Sequence, residues 1–170
     1  MSPEEIITNA LDRYERPLIS YAKEITGDLE AAKDAVQETF LRLSRQDIQA
    51  LEPRLAPWLF LVCRNCALDH VRKILRFAPN APMPEEEASG DPSPSESIVK
   101  EEDKARIRAA VAKLPEQQRE LVRLKFDADL NYREMSEALE ISISHVGVQL
   151  HDAMKSLRKH LGVNLETATF

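Results

Sequence analysis

The sequence predicts an all-α protein of two small helical domains joined by a flexible acidic linker. Three observations lead there. Apolar residues recur at helical spacing along both halves of the chain. The composition is 43% hydrophobic and 31% charged with only four glycines, which fits a helix-rich globular protein. Between the halves, prolines, serines and acids replace the periodic pattern. At 170 residues there is room for one domain or two small ones, each near the lower limit for an independent core.

The first helix is expected over residues 2 to 25. Ser2 suits the N-cap, Pro3 the first helical position and Glu5 the capping-box acid. Ile6, Ile7, Ala10, Leu11, Tyr14, Leu18, Tyr21, Ala22 and Ile25 form its apolar stripe. Pro17 removes a ladder bond, so a kink or break is expected there, and Gly27 ends the helix. Asp28 caps the next helix, DLEAAKDAVQETFLRLSR, whose apolar set is Leu29, Ala32, Val36, Phe40 and Leu43. Asp34, Gln37, Glu38, Leu41 and Arg45 lie mainly away from that set. A loop over 46–56 with Pro53 follows. The third helix begins at Pro57 and runs to about Leu75. Trp58, Leu61, Val62 and Leu68 make its apolar side, while Arg64, Asn65, Asp69, Arg72 and Lys73 make a polar and cationic row.

Residues 78–97 hold five prolines and many acids and cannot bury enough apolar surface to offset their ordering entropy, so they read as a flexible linker. The first domain is then 1–77 and the second 98–170. From Pro79 to Asp103 eight acids stand against Lys100, a charge of −7 within a chain total of −6, so the rest carries +1. Two near-neutral domains on an acidic tether differ from an acidic protein, and nucleic acid is not excluded as a partner.

The second domain starts with a helix over Ile98 to Leu114, with Ile107, Ala110, Val111 and Leu114 on one side. Pro115 starts another through Phe126. Asn131, with Glu134 three residues on, caps a short helix carrying Met135, Ala138 and Leu139. After a turn over Glu140 to Ile143, Ser144 caps the last helix, with Val146, Leu150, Met154, Leu157 and Leu161 inward and Gly162 as its stop. Two short helices across a tight turn make a helix-turn-helix pattern.

No apolar run approaches the ~20 residues of a membrane span, so no membrane insertion is expected. The Met-Ser-Pro-Glu-Glu start reads as helix capping rather than a signal peptide, which points to the cytoplasm and to reduced cysteines. Cys63 and Cys66 form a CxxC, but a zinc site needs about four ligands and no second pair exists. His70 nearby does not complete one, and core packing is the expected role. No nucleophile with its base, P-loop or metal cage is present, so neither catalysis nor a cofactor is expected.

The stretches DLEAAKDAVQETFLRL and PWLFLVCRNCALDHVRK resemble region 2 of bacterial sigma-70 family factors of the extracytoplasmic-function (group 4) type. AAVAKLPEQQRELVRLKF and NYREMSEALEISISHVGVQLHDAMKSLRKHL resemble their region 4. The resemblance covers most of residues 10 to 162, in family order. It implies an RNA polymerase sigma factor that melts the −10 element with region 2 and reads the −35 element with region 4. Implied partners are core polymerase (the β′ clamp helices and the β flap), promoter DNA and an anti-sigma factor.

By that resemblance Asp34, Gln37, Glu38 and Leu41 form the polymerase-binding face, although charges on a helix usually mean no more than a solvated face. Asn65 and Asp69 would read unstacked −10 bases, with 46–56 as a pocket wall, while Arg64, Arg72, Lys73 and Arg76 would hold phosphates. A basic helix end favourable to the dipole explains Arg72 and Lys73 equally well, but not Asn65. Acids of the linker would mimic nucleic acid in the polymerase channels.

The −35 contacts would come from Ser144, His145, Val148, Gln149, His151, Lys155 and Arg158. Here the sequence departs from the family, which usually places Arg or Lys on the first turns of this helix. Gly147, Asp152 and late bases predict weak −35 binding from region 4 alone. A sigma-like decoy that binds polymerase or an anti-sigma factor without reading the −35 element is the alternative. A generic helix-turn-helix repressor would leave the region 2 resemblance unexplained.

Overall fold

A computed structural model describes residues 1–77 and 98–162, with side chains of the second stretch from residue 102. The predicted linker, 78–97, and residues 163–170 lie outside the described residues. Among the described residues every regular element is helical.

Helix α1 (Pro3–Thr26) opens with the expected capping box, Ser2 Oγ accepting from Glu5 N at 3.2 Å and Glu5 Oε2 accepting from Ser2 N at 2.8 Å. Gly27 closes it in the left-handed region at φ 73. Pro17 does not break it. The missing ladder bond costs ~3 kcal/mol. Against that, Leu18 and Ala22 are fully buried and Tyr21 nearly so, packed where α1 meets its neighbours. Helix α2 (Leu29–Ser44) is capped by Asp28, which accepts from Ala31 N at 3.0 Å. Ala32, Ala35, Val36, Thr39 and Leu43 are buried, and Thr39 Oγ1 donates back to Ala35 O at 2.7 Å.

The stretch expected as a loop is ordered. Asp47 caps a short helix α3 (Ile48–Leu51), Ile48 is buried, and a 3₁₀ turn over Glu52–Arg54 takes in Pro53. Helix α4 (Leu55–Phe77) starts two residues ahead of Pro57 and runs past Leu75. Pro57 still lies in the first turn, where its missing N–H has no ladder partner to serve.

The buried side of α4 is not the expected stripe. Leu59, Phe60, Cys63 and Ala67 are buried against α1 and α2, and Ala56 and Pro57 are buried in the first turn. Phe60 packs edge-on against Tyr21 (centroids 5.6 Å apart) and Tyr14 (6.4 Å). Trp58 and Leu61 lie a quarter-turn away and are only half-buried, against the second domain. A helix covered on two sides blurs a single-stripe reading.

In the second domain α5 (Ile98–Ala112), α6 (Glu116–Phe126), α7 (Tyr132–Leu139) and α8 (Ile143–Leu161) gather around α8. Leu121, Leu124, Met135, Val146 and Ala153 are at most 1% exposed and form the centre. Ala110, Val111 and Leu114 join them, but Ile107, expected beside them, is 48% exposed. Asn131 and Glu134 form the predicted capping box of α7. The cap of α8 is Ser142, whose Oγ accepts from His145 N at 3.0 Å, and not Ser144, which sits exposed in the first turn. Glu140, in the left-handed region at φ 56, ends α7, and Gly162 ends α8 as expected.

The domains touch. Helix α7 packs along α4, and α6 approaches α1. A cleft of about 360 Å³ remains between them, lined by Trp58 and Leu61 on one side and Glu137 and Ile141 on the other.

Candidate polymerase and nucleic-acid interfaces

The outer face of α2 presents Asp34 and Gln37 exposed to solvent and Leu41 at 49% exposure. Glu38 is half-exposed and receives a charge-assisted hydrogen bond from Arg42 Nε at 3.1 Å, one turn on. The four residues thus share one surface, with one carboxylate already paired locally. Beside them Leu11, Ile19, Val36, Phe40 and Leu41 line an apolar groove between α1 and α2, with Gln37 at its edge. Two acids, an amide and an exposed leucine beside a groove are suited to a helical partner with basic and apolar side chains.

On α4 the polar row divides. Asn65, Asp69, Arg72 and Lys73 are exposed on one side, joined by Arg76. Their spacing of four, three, one and three residues keeps them within one helical face. Asp69 pairs with Arg72 at 3.4 Å, a surface contact of small energy. The exposed carboxamide of Asn65 can both donate and accept towards a base edge.

Arg64 goes elsewhere. Its Nε lies 3.4 Å from Glu120 Oε2 of α6, and its side chain is 29% exposed. Burial pushes the Glu120 carboxyl up from the usual range, against the pull of Arg64. Tyr21 borders the same pair, and burial, with Glu120 beside it, raises its hydroxyl well above the ordinary tyrosine value. A second cross-domain pair, Arg123 Nη2 to Glu24 Oε2 at 2.8 Å, lies in the same interface.

On α8, Ser144, Val148, His151 and Lys155 form an outward stripe at spacings of four, three and four, with Val148 57% exposed. Asp152 is exposed beside them. His145 and Gln149 turn back to α6, His145 Nε2 to Gln117 Oε1 at 2.7 Å and Gln149 Oε1 accepting from Gln118 Nε2 at 3.2 Å. Arg158 is half-buried with its Nε inside the fold. The seven residues expected at the −35 element are therefore not one surface: four point out together and three are drawn towards the core. Gly147 is not forced by crowding, since a Cβ there would meet only the Tyr132 ring at 3.7 Å.

No local sequence pattern singles out Gln117, Gln118, Glu120, Arg123 or Glu24. The partners of the first three lie 28 to 56 residues away. Cys63 is fully buried, its Sγ 3.9 Å from Leu18 O, and burial pushes its thiol up to about 12. Burial also raises the partly exposed Cys66 thiol. Among the described residues no group of three or more His, Cys, Asp or Glu is gathered around a metal-sized space. None of their helices is long and apolar enough to cross a membrane.

Two family models match the chain in order: Sigma-70 region 2 over residues 10–77 and Sigma-70 region 4 over residues 104–157. The chain is 32% identical to the ECF RNA polymerase sigma factor RpoE of Cereibacter sphaeroides, over 63% of this chain and 58% of that protein. It is 23% identical to the ECF RNA polymerase sigma factor SigW of Bacillus subtilis, over 93% of this chain and 90% of that one. Identity to SigL of Mycobacterium tuberculosis, a further ECF sigma factor, is 28%, over 89% and 88%. In fold it is similar to the sigma factor RpoE solved with the anti-sigma factor NepR from Bartonella quintana. That likeness has a TM-score of 0.68 at 20% identity and covers 92% of this chain and 97% of the other. Both halves of the chain, in order, thus carry the same family's pattern: it belongs to the sigma-70 family as an extracytoplasmic-function RNA polymerase sigma factor, a subunit that directs transcription initiation.

Proposed function

We propose that the chain selects promoters by docking its first domain on core polymerase through Asp34, Gln37, Glu38 and Leu41 and holding the melted −10 strand on α4 through Asn65, Asp69, Arg72 and Lys73. The observation that carries this reading is the exposed row Asn65, Asp69, Arg72, Lys73 on a helix that Leu59, Phe60, Cys63 and Ala67 anchor to the first domain. Asn65 and Asp69 supply base-edge hydrogen bonds, and the cations supply phosphate attraction without sequence information. Unstacking a base costs a few kcal/mol, which contacts in such a surface offset. The partners are core polymerase, through its β′ clamp helices and β flap, promoter DNA and an anti-sigma factor, and the site of action is the cytoplasm. The chain itself carries out no covalent chemistry in this reading. The polymerase does.

A second reading is supported by α8. With His145 and Gln149 bonded to α6 and Asp152 exposed, only Lys155 offers a cation on the outward stripe. Fewer cations against phosphate mean lower affinity and a shallower salt dependence. A decoy that binds core polymerase or an anti-sigma factor without reading the −35 element follows if that stripe does not hold duplex DNA. Run-off transcription with core polymerase separates the two. A promoter-selecting factor yields a promoter-dependent transcript, and Asn65→Ala removes most of it while core binding persists. A decoy binds core and yields none.

A further inference from the structure

We infer that Gln118, in the first turn of α6, sets the base preference at the −35 element by holding the side chain of Gln149 on α8, a positioning role that needs no DNA contact of its own. The inference rests on the promoter-selecting reading, in which α8 meets duplex DNA. Gln149 directly follows the outward-facing Val148 and is half-buried at the edge of the outer stripe. Its Oε1 accepts from Gln118 Nε2 at 3.2 Å, between residues 31 positions apart. Gln118 Oε1 is buried and has no hydrogen-bond partner among the described residues. The Gln118 carboxamide is therefore given over to one contact, the one with Gln149.

A glutamine carboxamide has two ends, and reading adenine takes both: the oxygen accepts from N6 while the nitrogen donates to N7. With one end tied to Gln118, Gln149 keeps a single end for a base edge. A lone donor is accepted alike by guanine O6 or N7, adenine N7 and thymine O4, so it carries little sequence information. Gln149 is the only carboxamide on α8. Gln118 thus turns the one side chain there that could pair bidentately with adenine into a reader that tolerates several bases. The helix keeps its seat without that bond. His145, one turn earlier, is bonded to Gln117 at 2.7 Å, and Val146, Leu150 and Ala153 are buried behind it. A change at Gln118 therefore acts on the Gln149 side chain and not on the placement of α8.

The test uses core polymerase with the full chain on the promoter upstream of the chain's own gene, its −35 element randomised and each run-off transcript barcoded and sequenced. Gln118→Met keeps the length and helix propensity of the side chain while removing both the bond and the unpartnered oxygen. It is expected to raise the preference for adenine at one −35 position by about 5-fold or more over wild type, the gain that a bidentate pair gives. Gln118→Leu removes the same bond with a different shape and is expected to give the same new preference. Adding Gln149→Ala to Gln118→Met is expected to abolish the gain, which an altered helix placement or stability would leave in force. Thermal denaturation of each chain checks that it is folded. Equal −35 preferences in wild type and both Gln118 variants overturn the inference, as does a gain that persists without Gln149. Failure of the promoter-selection reading registers separately, as wild-type chain that binds core polymerase and gives no transcript.

Discussion

Asn65 and Cys63 stand two residues apart on α4 and meet opposite environments, which sets what each can do. Cys63 is fully buried, and burial lifts its thiol from 9.0 to about 12. The folded state therefore favours the protonated thiol. Its contribution to stability is present in full below pH 9 and is lost as pH rises towards 12, so an alkaline fall in melting temperature is expected in that window. Alkylation at neutral pH should leave Cys63 unmodified in the folded protein and reach it only in denaturant, because the thiolate is the reactive form. Mass mapping of the labelled chain reads the result, and rapid native labelling of Cys63 would contradict its packing role. The packing of the CxxC pair is legible in sequence, since no further ligands accompany it. The opposite fate of Arg64 is not. Nothing within one helical turn of it signals a carboxylate 56 positions later.

Helix caps show how far an element can be read from its residues. Ser2, Asp28 and Asn131 cap where the sequence places them, each followed by an amphipathic stretch that leaves one possible start. The last helix offers two serines, and Ser142 is the one whose hydroxyl meets a backbone N–H. Ser142→Ala should cost about 1 kcal/mol and Ser144→Ala close to nothing, read as a shift in the denaturation midpoint of the full chain. Equal effects would contradict the assigned cap. The stretch over 46–56 departs from expectation because local signals favour a loop and the packing of Ile48 overrides them, while α1 runs unbroken through Pro17 beside the buried Leu18 and Tyr21. On α2, Asp34→Arg should abolish binding to core polymerase with little change in stability, since Asp34 is exposed and makes no buried contact. A pull-down with core tests it, and retained binding would move the docking face elsewhere. The α2 surface is the most legible of the candidate sites because its residues are neighbours on one helix. The α8 surface is the least, because His145 and Gln149 are turned by Gln117 and Gln118 from another element.

For the whole molecule, the order of two helical domains on an acidic tether can be read from composition and periodicity, and the family matches agree with it. How those domains meet cannot. Trp58 and Leu61 look in sequence like core residues of the first domain, and they line a cleft that the second domain completes. The arrangement joins two requirements. In the proposed reading α4 has to be exposed at Asn65, Asp69, Arg72 and Lys73 to hold DNA, while its apolar edge at Trp58 and Leu61 is partly covered. The most direct test of the central claim is run-off transcription from the promoter upstream of the chain's own gene, with core polymerase and either wild-type chain or Asn65→Ala. A transcript that depends on the wild-type chain and falls about 10-fold or more with Asn65→Ala, at unchanged core binding, is the expected result, since a good hydrogen-bonded pairing to a base edge is worth about 1–3 kcal/mol. Equal transcript from both proteins would contradict the assignment of strand reading to α4.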